Sequence, residues 1–470
     1  MAEAPKLDNE LLSACIHCGL CLPACPTYLA TGREMESPRG RLYLLSLWDK
    51  GELALEDGVA EHINSCLGCF GCQTACPSGV QYERILNQAR PYLKVERKQP
   101  LRFALYAAFK YLLPNYFLLR IVAFVIRLWQ SSKGRQLLQR LSGLEGRMLG
   151  RRAAGAEIRG AAEKASLLPL QANCNLLEKL AVAELFIPNL PPFRRLKRRS
   201  WMADETKGTA QLFSGCVMDV FYNDVNHDAS ELLQKEEFLV EVPEQTCCGA
   251  LAFHAGEVEI ARELASKNIQ CFEKTSGPIV VTSAGCGAML KEYGELFGAD
   301  PQWSLRAHEF ASRVKDLSEV LAQREMPLQT RKAARAPASK VAYHAACHLA
   351  HAQNVRRQPA KLLYDLAAAV DTKSNTAFGS EKERLLMDVV PLAEAEHCCG
   401  SAGIFNLLNP DLSLKVLQRK VEKIEESGAD VVVTTNPGCL LQLETGARLS
   451  GANFKVKHLA TFLNEGYRQK

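Results

Sequence analysis

In the second half of the chain, one series of apolar segments occurs twice, with the segments in the same order in both copies. Short runs of β-branched residues, IVVTS at 279–283 and VVVTT at 431–435, each follow a helical stretch and predict buried parallel strands in α/β units. Further along, VKDLSEVL at 314–321 resembles VKHLATFL at 456–463. Because these matches occur in the same order, they predict a duplicated α/β domain that begins near residue 206.

The first 130 residues show a different, mainly helical pattern. Residues 33–48, REMESPRGRLYLLSLW, predict a helix after Pro38. Residues 100–130 are apolar and aromatic, but charged residues interrupt every run before it reaches the roughly 18 residues that a membrane span requires. This segment therefore predicts two amphipathic helices that are broken at Pro114.

Length and charge narrow the classes of function. The 470 residues suffice for roughly two to four domains, and the polar N-terminus without an apolar signal segment favours a cytoplasmic protein. The net charge of +5 conceals a basic block between Lys94 and Arg199, which holds 21 lysines and arginines against six glutamates. Its surplus of +15 leaves the remainder of the chain at −10. Such a block predicts contact with nucleic acid, an anionic membrane or an acidic protein, or else a solvated helical face.

Two copies of one cysteine pattern lie within the first eighty residues. Each copy reads Cys-x2-Cys-x2-Cys-x3-Cys-Pro, and the copies begin at Cys15 and Cys66. This is the ligand run of a two-cluster bacterial-type ferredoxin, in which the fourth cysteine of each run binds the other cluster. Structural zinc sites usually have separated cysteine pairs, and a long cytosolic chain does not need a disulfide framework. The predicted ligands are Cys15, Cys18, Cys21 and Cys76 for one [4Fe–4S] cluster and Cys66, Cys69, Cys72 and Cys25 for the other.

A second cysteine pattern, Cys…Cys-Cys-Gly…Cys, occurs once in each half of the duplicated region. Adjacent cysteines cannot both face one side of a regular strand, so the Cys-Cys-Gly unit is expected on a loop where glycine frees the backbone. Two thiolates there and one from each flanking strand end form a four-sulfur site suited to zinc or an iron–sulfur cluster, and buried, unreactive thiols are the alternative. The candidate third site is Cys216, Cys247, Cys248 and Cys286, and the candidate fourth site is Cys347, Cys398, Cys399 and Cys439.

Seven further residues lie beside or outside these patterns: His344, His348, His351, Arg39, Arg41, Cys174 and Cys271. The three histidines flank Cys347 and are expected to hydrogen-bond backbone near the site, with metal ligation or proton transfer as the alternative. The two arginines lie between the ferredoxin-type runs and are expected to offset cluster charge or to contact a partner. The two cysteines are expected to be ordinary buried thiols.

The two ferredoxin-type runs followed by two Cys-Cys-Gly domains resemble the iron–sulfur subunits of glycolate oxidase. The resemblance rests on HAACHLAHAQ at 344–353 and CCGSAGIFNLLNPDLS at 398–413, with CCGALAFHAGE and TSAGCGAMLKEYG in the first half, and it does not extend to residues 96–205. The wider family includes subunits of heterodisulfide reductase, lactate-oxidising complexes and anaerobic glycerol-3-phosphate dehydrogenase. In heterodisulfide reductase the last cysteine of each half belongs to a Cys-x-x-Cys pair. Met289 and Gln442 occupy the partner positions here, which disfavours a five-cysteine noncubane cluster.

Together these features predict a multidomain fold of the α+β or α/β class. A mostly helical ferredoxin-type domain with two [4Fe–4S] clusters is expected at 1–95, and an amphipathic and basic helical connector at 96–205. The first Cys-Cys-Gly domain is expected at 206–325 and the second at 341–470, each of them α/β. An Ala- and Pro-rich segment joins these two domains.

The resemblance implies the iron–sulfur electron-transfer subunit of a glycolate (2-hydroxy acid) oxidase complex. Such a subunit passes electrons from FAD-linked oxidase subunits to quinone or another acceptor and is not catalytic alone, which agrees with the lack of a flavin or nicotinamide motif. A subunit of a lactate-oxidising or heterodisulfide-reductase-type complex is the alternative. Nucleic acid is not an expected partner, because no binding motif accompanies the basic block. The expected location is the cytoplasm, with peripheral contact at the inner face of the plasma membrane.

Overall fold

The computed structural model describes most of the chain, and helices and strands are numbered below in chain order over that part. It describes residues 7–93, 99–132, 184, 186–190, 192–197, 199–200, 208–298, 300–323, 339–374 and 387–467. Most of the predicted connector after residue 132 therefore lies outside the described residues. So do Cys174 and most of the segment that joins the two Cys-Cys-Gly domains.

The N-terminal domain consists of short helices around the two cysteine loops. Ser37 accepts a hydrogen bond from the Gly40 N–H (3.0 Å) and Pro38 occupies the first turn, so the helix predicted after Pro38 is confirmed. Short 3-10 turns lie at Glu34–Glu36 and Leu55–Asp57. The helices are α1 (Asn9–Ser13), α2 (Pro26–Thr31), α3 (Pro38–Asp49), α4 (Val59–Asn64), α5 (Gly71–Thr74) and α6 (Tyr82–Leu93).

The apolar faces of these helices form one small core. Leu45 from α3, Ile63 from α4 and Ile85 from α6 are almost fully buried in it, together with Phe70 from within the second cysteine run. Burial of such side chains is the main stabilising contribution in a domain of this size. Both cysteine runs are thus anchored to a helical base.

A bent pair of apolar helices follows the N-terminal domain. Helix α7 (Gln99–Ala107) continues into a π-helical turn (Ala108–Leu112), and α8 (Tyr116–Ser131) runs at 112° to them. The predicted break at Pro114 is confirmed, and Asn115 caps the new helix. In the part of the chain that the structure describes, no single helix is long and apolar enough to cross a membrane. The two members of this bent pair together have the length and the apolar composition of a broken span.

One face of this helix pair packs on the first Cys-Cys-Gly domain, and the other face is exposed. Phe109 and Leu119 are buried in that domain's core, and Arg120 donates a hydrogen bond to Asp219 (2.8 Å). The segment is therefore only partly buried by the chain itself. The exposed face carries Leu101, Phe103, Tyr106, Tyr111, Phe117, Leu118, Ile121, Val122, Phe124, Val125, Leu128 and Trp129.

The first Cys-Cys-Gly domain contains a five-stranded sheet of order β1-β3-β2-β4-β5. All neighbouring strands are parallel except for β1, which pairs antiparallel with β3. Because β1 precedes residue 206, this sheet begins earlier in the chain than the predicted boundary. Pairing of Arg199 with Glu241 extends it at that edge. The strands are β1 (Arg199–Ser200), β2 (Gly208–Phe213), β3 (Phe238–Glu241), β4 (Ile279–Val281) and β5 (Val314–Asp316).

Eight helices surround this sheet within the described residues. Most of them connect one parallel strand to the next, as parallel pairing requires. They are α9 (Cys216–Phe221), α10 (Asn223–Lys235), α11 (Ala250–His254), α12 (Val258–Phe272), α13 (Ala284–Lys291), α14 (Tyr293–Phe297), α15 (Ser304–Arg313) and α16 (Leu317–Leu321).

The second Cys-Cys-Gly domain contains a four-stranded parallel sheet of order β7-β6-β8-β9. Its strands are β6 (Ser339–Tyr343), β7 (Met387–Val389), β8 (Val431–Thr434) and β9 (Lys455–His458). A π-helical turn covers His348–Ala352. The helices are α17 (Arg357–Ser374), α18 (Phe405–Leu408), α19 (Pro410–Ser427), α20 (Pro437–Ser450) and α21 (Leu459–Tyr467).

The sequence repeat corresponds to a structural repeat. The apolar runs form β4 and β8, which are fully buried and pair in parallel on both sides. The strands β5 and β9 are each followed directly by a helix, as the second sequence match requires. The predicted fold class, with its duplicated α/β domains, is therefore confirmed.

The two Cys-Cys-Gly domains pack against each other. Buried apolar side chains from both sheets belong to one cluster. The Ala284 N–H donates to the Thr435 carbonyl (3.1 Å), and the Gly285 N–H donates to Asn436 Oδ1 (3.0 Å). These contacts join the carboxyl ends of β4 and β8, so the loops at the carboxyl ends of both sheets face the same space.

Candidate metal centres

The two ferredoxin-type runs lie on neighbouring loops of the N-terminal domain. The first run occupies the loop between α1 and α2, and the second begins after α4 and continues into α5. Gly68 has φ of +59°, and a side chain there would lie 2.7 Å from Arg90 Nη2. Its N–H donates to Cys66 Sγ (3.4 Å). Glycine thus lets the backbone approach the sulfur and stabilise its negative charge.

Cys25, the fourth cysteine of the first run, lies close to the second run. Burial, followed by the neighbouring Cys69, Cys66 and Cys25 thiols among others, raises the pKa of Cys72 well above its ordinary value. Burial and then Cys347 raise the pKa of Cys69, with smaller contributions from Cys25 and Cys66. Crossed ligation requires Cys25 to lie beside the cysteines of the second run, and it does so here. The assignment of individual ligands remains a prediction.

The two arginines between the runs have different surroundings. Arg41 is 1% exposed, its Nη2 lies 2.6 Å from Glu36 Oε2, and its Nη1 lies 4.0 Å from Cys25 Sγ. A buried cation beside the cysteines can offset cluster charge, whereas contact between Arg41 and a partner is ruled out by its burial. Arg39 is more exposed and pairs with Glu34 (2.6 Å).

The four cysteines of the first Cys-Cys-Gly domain converge at the carboxyl ends of its parallel strands. Cys216 begins α9 after β2, and Cys286 lies in the first turn of α13 after β4. The adjacent pair lies on the loop that follows β3, as predicted, and this loop ends at Gly249 with φ of +87°. The Sγ atoms of Cys216 and Cys247 are 3.5 Å apart, and hydrogen bonds to Cys247 and Cys286 raise the pKa of Cys248.

Two polar residues that the sequence did not single out hold this loop. The Tyr293 hydroxyl donates to the Cys248 carbonyl (2.9 Å), and Asn268 Nδ2 donates to the Cys247 carbonyl (3.1 Å). Both side chains are buried, so these bonds form in an apolar setting where an unpaired carbonyl would be costly. The loop is thereby fixed in one conformation.

The second Cys-Cys-Gly domain repeats this arrangement. Cys347 follows β6, Cys439 lies in α20 after β8, and the adjacent pair lies on the loop after β7. The Sγ atoms of Cys399 and Cys439 are 3.4 Å apart, and the N–H of Gly400 donates to Cys398 Sγ (3.4 Å). A hydrogen bond that the Cys347 thiol donates to Cys398, followed by burial, raises the pKa of Cys347 well above its ordinary value. The structure thus brings both predicted quartets together.

One cavity of about 610 Å³ lies between three groups of cysteines. Its wall includes Cys66 of the N-terminal domain and members of both quartets. Beside it, Leu67, Cys347 and Cys398 belong to one apolar cluster, against which Cys69 packs. The second ferredoxin-type run and the second quartet are therefore direct neighbours.

The three histidines near Cys347 do not share one role. His351 Nε2 lies 3.2 Å from the carbonyl of Glu396, as the preferred prediction requires. His348 Nδ1 instead lies 3.5 Å from Cys347 Sγ. Neither ring nitrogen of His344 has a hydrogen-bond partner among the described residues. Burial and then the Lys420 charge lower the pKa of His344, and the nearby Ala395 backbone acts in the opposite direction, so a hydrogen bond from this ring to backbone stays a prediction.

Sequence reasoning also missed a contact between the N-terminal domain and the two duplicated domains. Arg90 Nη1 lies 2.7 Å from His254 Nδ1, and the His254 ring lies 5.5 Å from that of His348, centroid to centroid. Burial, followed by the Arg90 charge, lowers the pKa of His254 far below its ordinary value, so the neutral ring accepts the hydrogen bond. No local motif marks Arg90 or His254, and their contact with His348 was not predictable because the three residues come from three separate segments.

Met289 and Gln442 occupy the positions where heterodisulfide reductase has the additional cysteine of each Cys-x-x-Cys pair, and both side chains have structural contacts. Met289 is buried in the apolar core of the first domain. Gln442 donates to Ser413 Oγ (2.9 Å) and accepts from Asn406 Nδ2 (3.3 Å). Cys271 lies outside both quartets, but it is partly exposed rather than buried as predicted, because it lies at the edge of the core in the last turn of α12.

Two known domain families match the segments that contain the two ferredoxin-type runs and the two quartets. Residues 11–80 match the 4Fe-4S dicluster domain family, and residues 210–291 and 341–444 match the cysteine-rich domain family. A probable glycolate oxidase iron-sulfur subunit from Bacillus subtilis (strain 168) is 34% identical over 475 residues, which cover 99% of this chain and 96% of that protein. The chain belongs to the glycolate oxidase iron–sulfur subunit family. The resemblance stated from the cysteine patterns is thereby confirmed.

Two further proteins are similar to this chain. The glycolate oxidase iron-sulfur subunit of Escherichia coli (strain K12) is 29% identical over 456 residues, covering 96% of this chain and 93% of that protein. Lactate utilization protein A from Shouchella clausii (strain KSM-K16) is 32% identical over 254 residues, which are 97% of its own length but 54% of this chain. The similarity to proteins named for glycolate oxidase extends over nearly the whole chain.

The cysteine sets of this family member fit iron–sulfur clusters. The cysteines of the described residues are free thiols, and sulfur is the donor that such clusters prefer. The N–H groups of Gly68, Gly249 and Gly400 donate to cysteine sulfurs at 3.4, 3.5 and 3.4 Å. Hydrogen bonds of this kind tune cluster potentials. The N-terminal domain is thus a two-[4Fe–4S] domain, and each quartet suits a further four-sulfur metal site.

Proposed function

We propose that the chain is the electron-transfer subunit of a glycolate (2-hydroxy acid) oxidase complex. In this role it relays electrons from an FAD-linked subunit to quinone or another acceptor. The observation that carries the proposal is the position of three cysteine groups around one cavity of about 610 Å³. Iron–sulfur clusters, when bound, supply one-electron transfer at potentials set by ligation, hydrogen bonds and burial.

The chain's own residues bring two of these groups together through an apolar contact. Leu67, Phe405 and Val416 are buried in one cluster with cysteines of the second quartet, and Cys69 packs against it. Arg41 is buried near Cys25 and Cys66, where its positive charge stabilises negative charge on the cysteines. A buried apolar contact of this kind supports a relay, because it holds the two groups of cysteines beside each other and burial helps to set the potentials of the clusters they bind.

Oxidation of the 2-hydroxy acid is assigned to a partner. The reaction removes a hydride equivalent, which carries both electrons, from carbon and a proton from the hydroxyl group, and this calls for a flavin or nicotinamide. The sequence has no G-x-G-x-x-G after a strand, and two relatives of near-full length are named as iron–sulfur subunits. FAD-linked oxidase subunits of the same complex are therefore the proposed electron donors.

Reconstitution tests this assignment. The purified chain alone is expected not to oxidise glycolate, because the hydride acceptor resides on the partner. Mixed with its FAD-linked subunits under anaerobic conditions, it is expected to restore glycolate-dependent reduction of a dye or quinone. Absorbance of the acceptor gives the rate. Turnover of glycolate by the isolated, flavin-free chain would refute the relay function.

The same assay decides between glycolate and lactate. Lactate utilization protein A aligns with about half of this chain, which keeps a lactate-oxidising complex as the second candidate. Glycolate should support faster acceptor reduction than lactate at equal concentration if the function proposed above is right. A clear preference for lactate would favour the second candidate.

We also propose that the exposed face of α7 and α8 docks on the cytoplasmic face of the plasma membrane. Phe103 is 75% exposed, Phe117 70% and Phe124 59%. Aromatic and aliphatic side chains at such exposure form an apolar surface that suits the interface between lipid headgroups and acyl chains. The helices also lie in the basic block of 94–199, and the cytoplasmic leaflet carries anionic lipid.

Vesicle flotation tests this docking surface. The chain is expected to float with vesicles that contain phosphatidylserine, and the double change Phe117→Ser and Phe124→Ser should abolish most of that binding. Leu305→Ser is the matched control, because Leu305 is 81% exposed on α15, within the first Cys-Cys-Gly domain. Loss of binding in the control, or unchanged binding in the double variant, would contradict the docking surface.

A further inference from the structure

His344 is buried beside the second quartet, with the Ala395 backbone close to its ring. The residue follows β6 and is 0% exposed, and its backbone N–H donates to the Val433 carbonyl (2.9 Å). Neither ring nitrogen has a hydrogen-bond partner within the described residues. A buried polar group without a partner is costly, so a native protein rarely keeps one unless something else binds it.

The ring nitrogen faces two cysteine sulfurs. One His344 ring nitrogen and the Sγ atoms of Cys399 and Cys439 all lie within 4.8 Å of one another. The two sulfurs themselves are 3.4 Å apart. Two thiolates and an imidazole that share one metal ion at bond lengths of about 2.0–2.3 Å lie roughly 3.5–3.8 Å from one another. The three side chains are thus close enough to bind one metal after a small adjustment.

The position where the wider family has an additional cysteine does not supply this donor. Gln442 uses both ends of its side chain, since it donates to Ser413 (2.9 Å) and accepts from Asn406 (3.3 Å). Because both ends of the Gln442 side chain are occupied by these hydrogen bonds, the side chain is not available as a metal ligand. Among the described residues, His344 is therefore the extra donor whose ring nitrogen lies near the sulfurs of both Cys399 and Cys439.

The first quartet has no such donor at the matching position. Phe213 precedes Cys216 by three residues, as His344 precedes Cys347 by three. Phe213 is buried in the apolar core, where its ring stacks on that of Phe272 at 6.1 Å between centroids. The duplication therefore places an imidazole at one centre and a phenyl ring at the other, although the cysteines correspond one to one.

We propose that His344 is a ligand of the metal centre in the second Cys-Cys-Gly domain, together with Cys399 and Cys439. The first centre then has sulfur ligands only, and the second has sulfur and nitrogen. A neutral imidazole adds no negative charge, so a centre that it binds is easier to reduce than one bound by a further thiolate.

Nitrogen detection at the metal tests this ligand directly. The full chain is purified anaerobically with and without nitrogen-15-labelled histidine, and pulsed EPR of an iron centre or X-ray absorption of a zinc centre reports bound nitrogen. The wild-type chain is expected to show one histidine nitrogen at the second centre. His344→Cys should keep the metal and lose that nitrogen, and for an iron centre it should also lower the reduction potential.

The control variant is His348→Gln, which removes the imidazole next to Cys347 and should leave the nitrogen signal in place. A wild-type centre with sulfur ligands only, a second domain without metal, or a signal that disappears in His348→Gln and persists in His344→Cys would overturn the assignment. None of these readouts needs oxidation of a 2-hydroxy acid. The result therefore stands apart from the proposed electron-transfer function.

Discussion

Replacing Cys69 by serine should abolish glycolate-dependent reduction of the acceptor by the assembled complex, down to the rate of the flavoprotein alone. Cys69 is a predicted cluster ligand, and it packs against the apolar cluster that contains Cys347 and Cys398. A serine hydroxyl is a poor ligand for iron compared with a thiolate. The change therefore removes the relay where the N-terminal domain meets the second quartet. Reduction of the partner's flavin by glycolate should be unaffected.

Stopped-flow absorbance separates these two steps, since flavin bleaching and acceptor reduction have different spectra. Cys271→Ser is the matched control, because Cys271 is a partly exposed thiol outside both quartets and both runs. Cys25→Ser should lose the same cluster signal as Cys69→Ser if ligation is crossed. Full acceptor reduction by Cys69→Ser would contradict the relay. Loss of the other cluster in Cys25→Ser would contradict crossed ligation only.

The second large effect is expected from Arg41→Met, which should lower the free energy of unfolding by about 3–5 kcal/mol. The guanidinium is buried and contacts Glu36 (2.6 Å), the His62 carbonyl (2.7 Å) and Ser65 Oγ (2.9 Å). Methionine fills similar space but leaves the Glu36 carboxylate buried without its main counter-charge. Denaturant unfolding of the anaerobic protein, followed by circular dichroism, measures the loss.

The same variant should lower the reduction potential of the second cluster. Burial opposes the Arg41 charge, but Cys66, Tyr82, Cys25 and Glu36 raise its pKa above the ordinary value, so the charge persists beside the cysteines. Removal of a nearby cation makes uptake of an electron less favourable. Arg41→Lys should restore part of the potential.

Arg39→Met is the control for both measurements, because Arg39 lies two residues away but pairs with Glu34 at the surface. Exposed pairs of this kind contribute little to stability. Equal losses in Arg39→Met and Arg41→Met would show that burial of the Arg41 charge is not the cause.

Local features of the fold and the site were predictable from the sequence. The helix after Pro38, the break at Pro114 and the buried strands β4 and β8 follow from neighbouring residues, because proline geometry and β-branched runs act over a few positions. The cysteine runs were recognisable for the same reason, since their spacing within a loop sets which sulfurs can face one cluster. The duplication was visible because both copies kept their order.

Residue roles that depend on burial were less predictable. Arg39 and Arg41 are two residues apart in one motif, yet one lies near the surface and the other is 1% exposed. Cys271 was expected to be buried and is partly exposed. In both cases the exposure of the side chain depends on where it points relative to a core that is formed by other segments of the chain.

By itself, the sequence determined which residues are candidate ligands, which segments form the strands and loops that carry them, and that two similar domains follow a two-cluster domain. Only the tertiary structure decided that both quartets and the second run adjoin one cavity, that Arg90 reaches His254, and that His344 rather than Gln442 faces the sulfurs. These residues meet because two sheets pack with their carboxyl ends facing the same space. Spacing along the chain carries no information about that packing, since it depends on apolar surfaces that are far apart in the sequence.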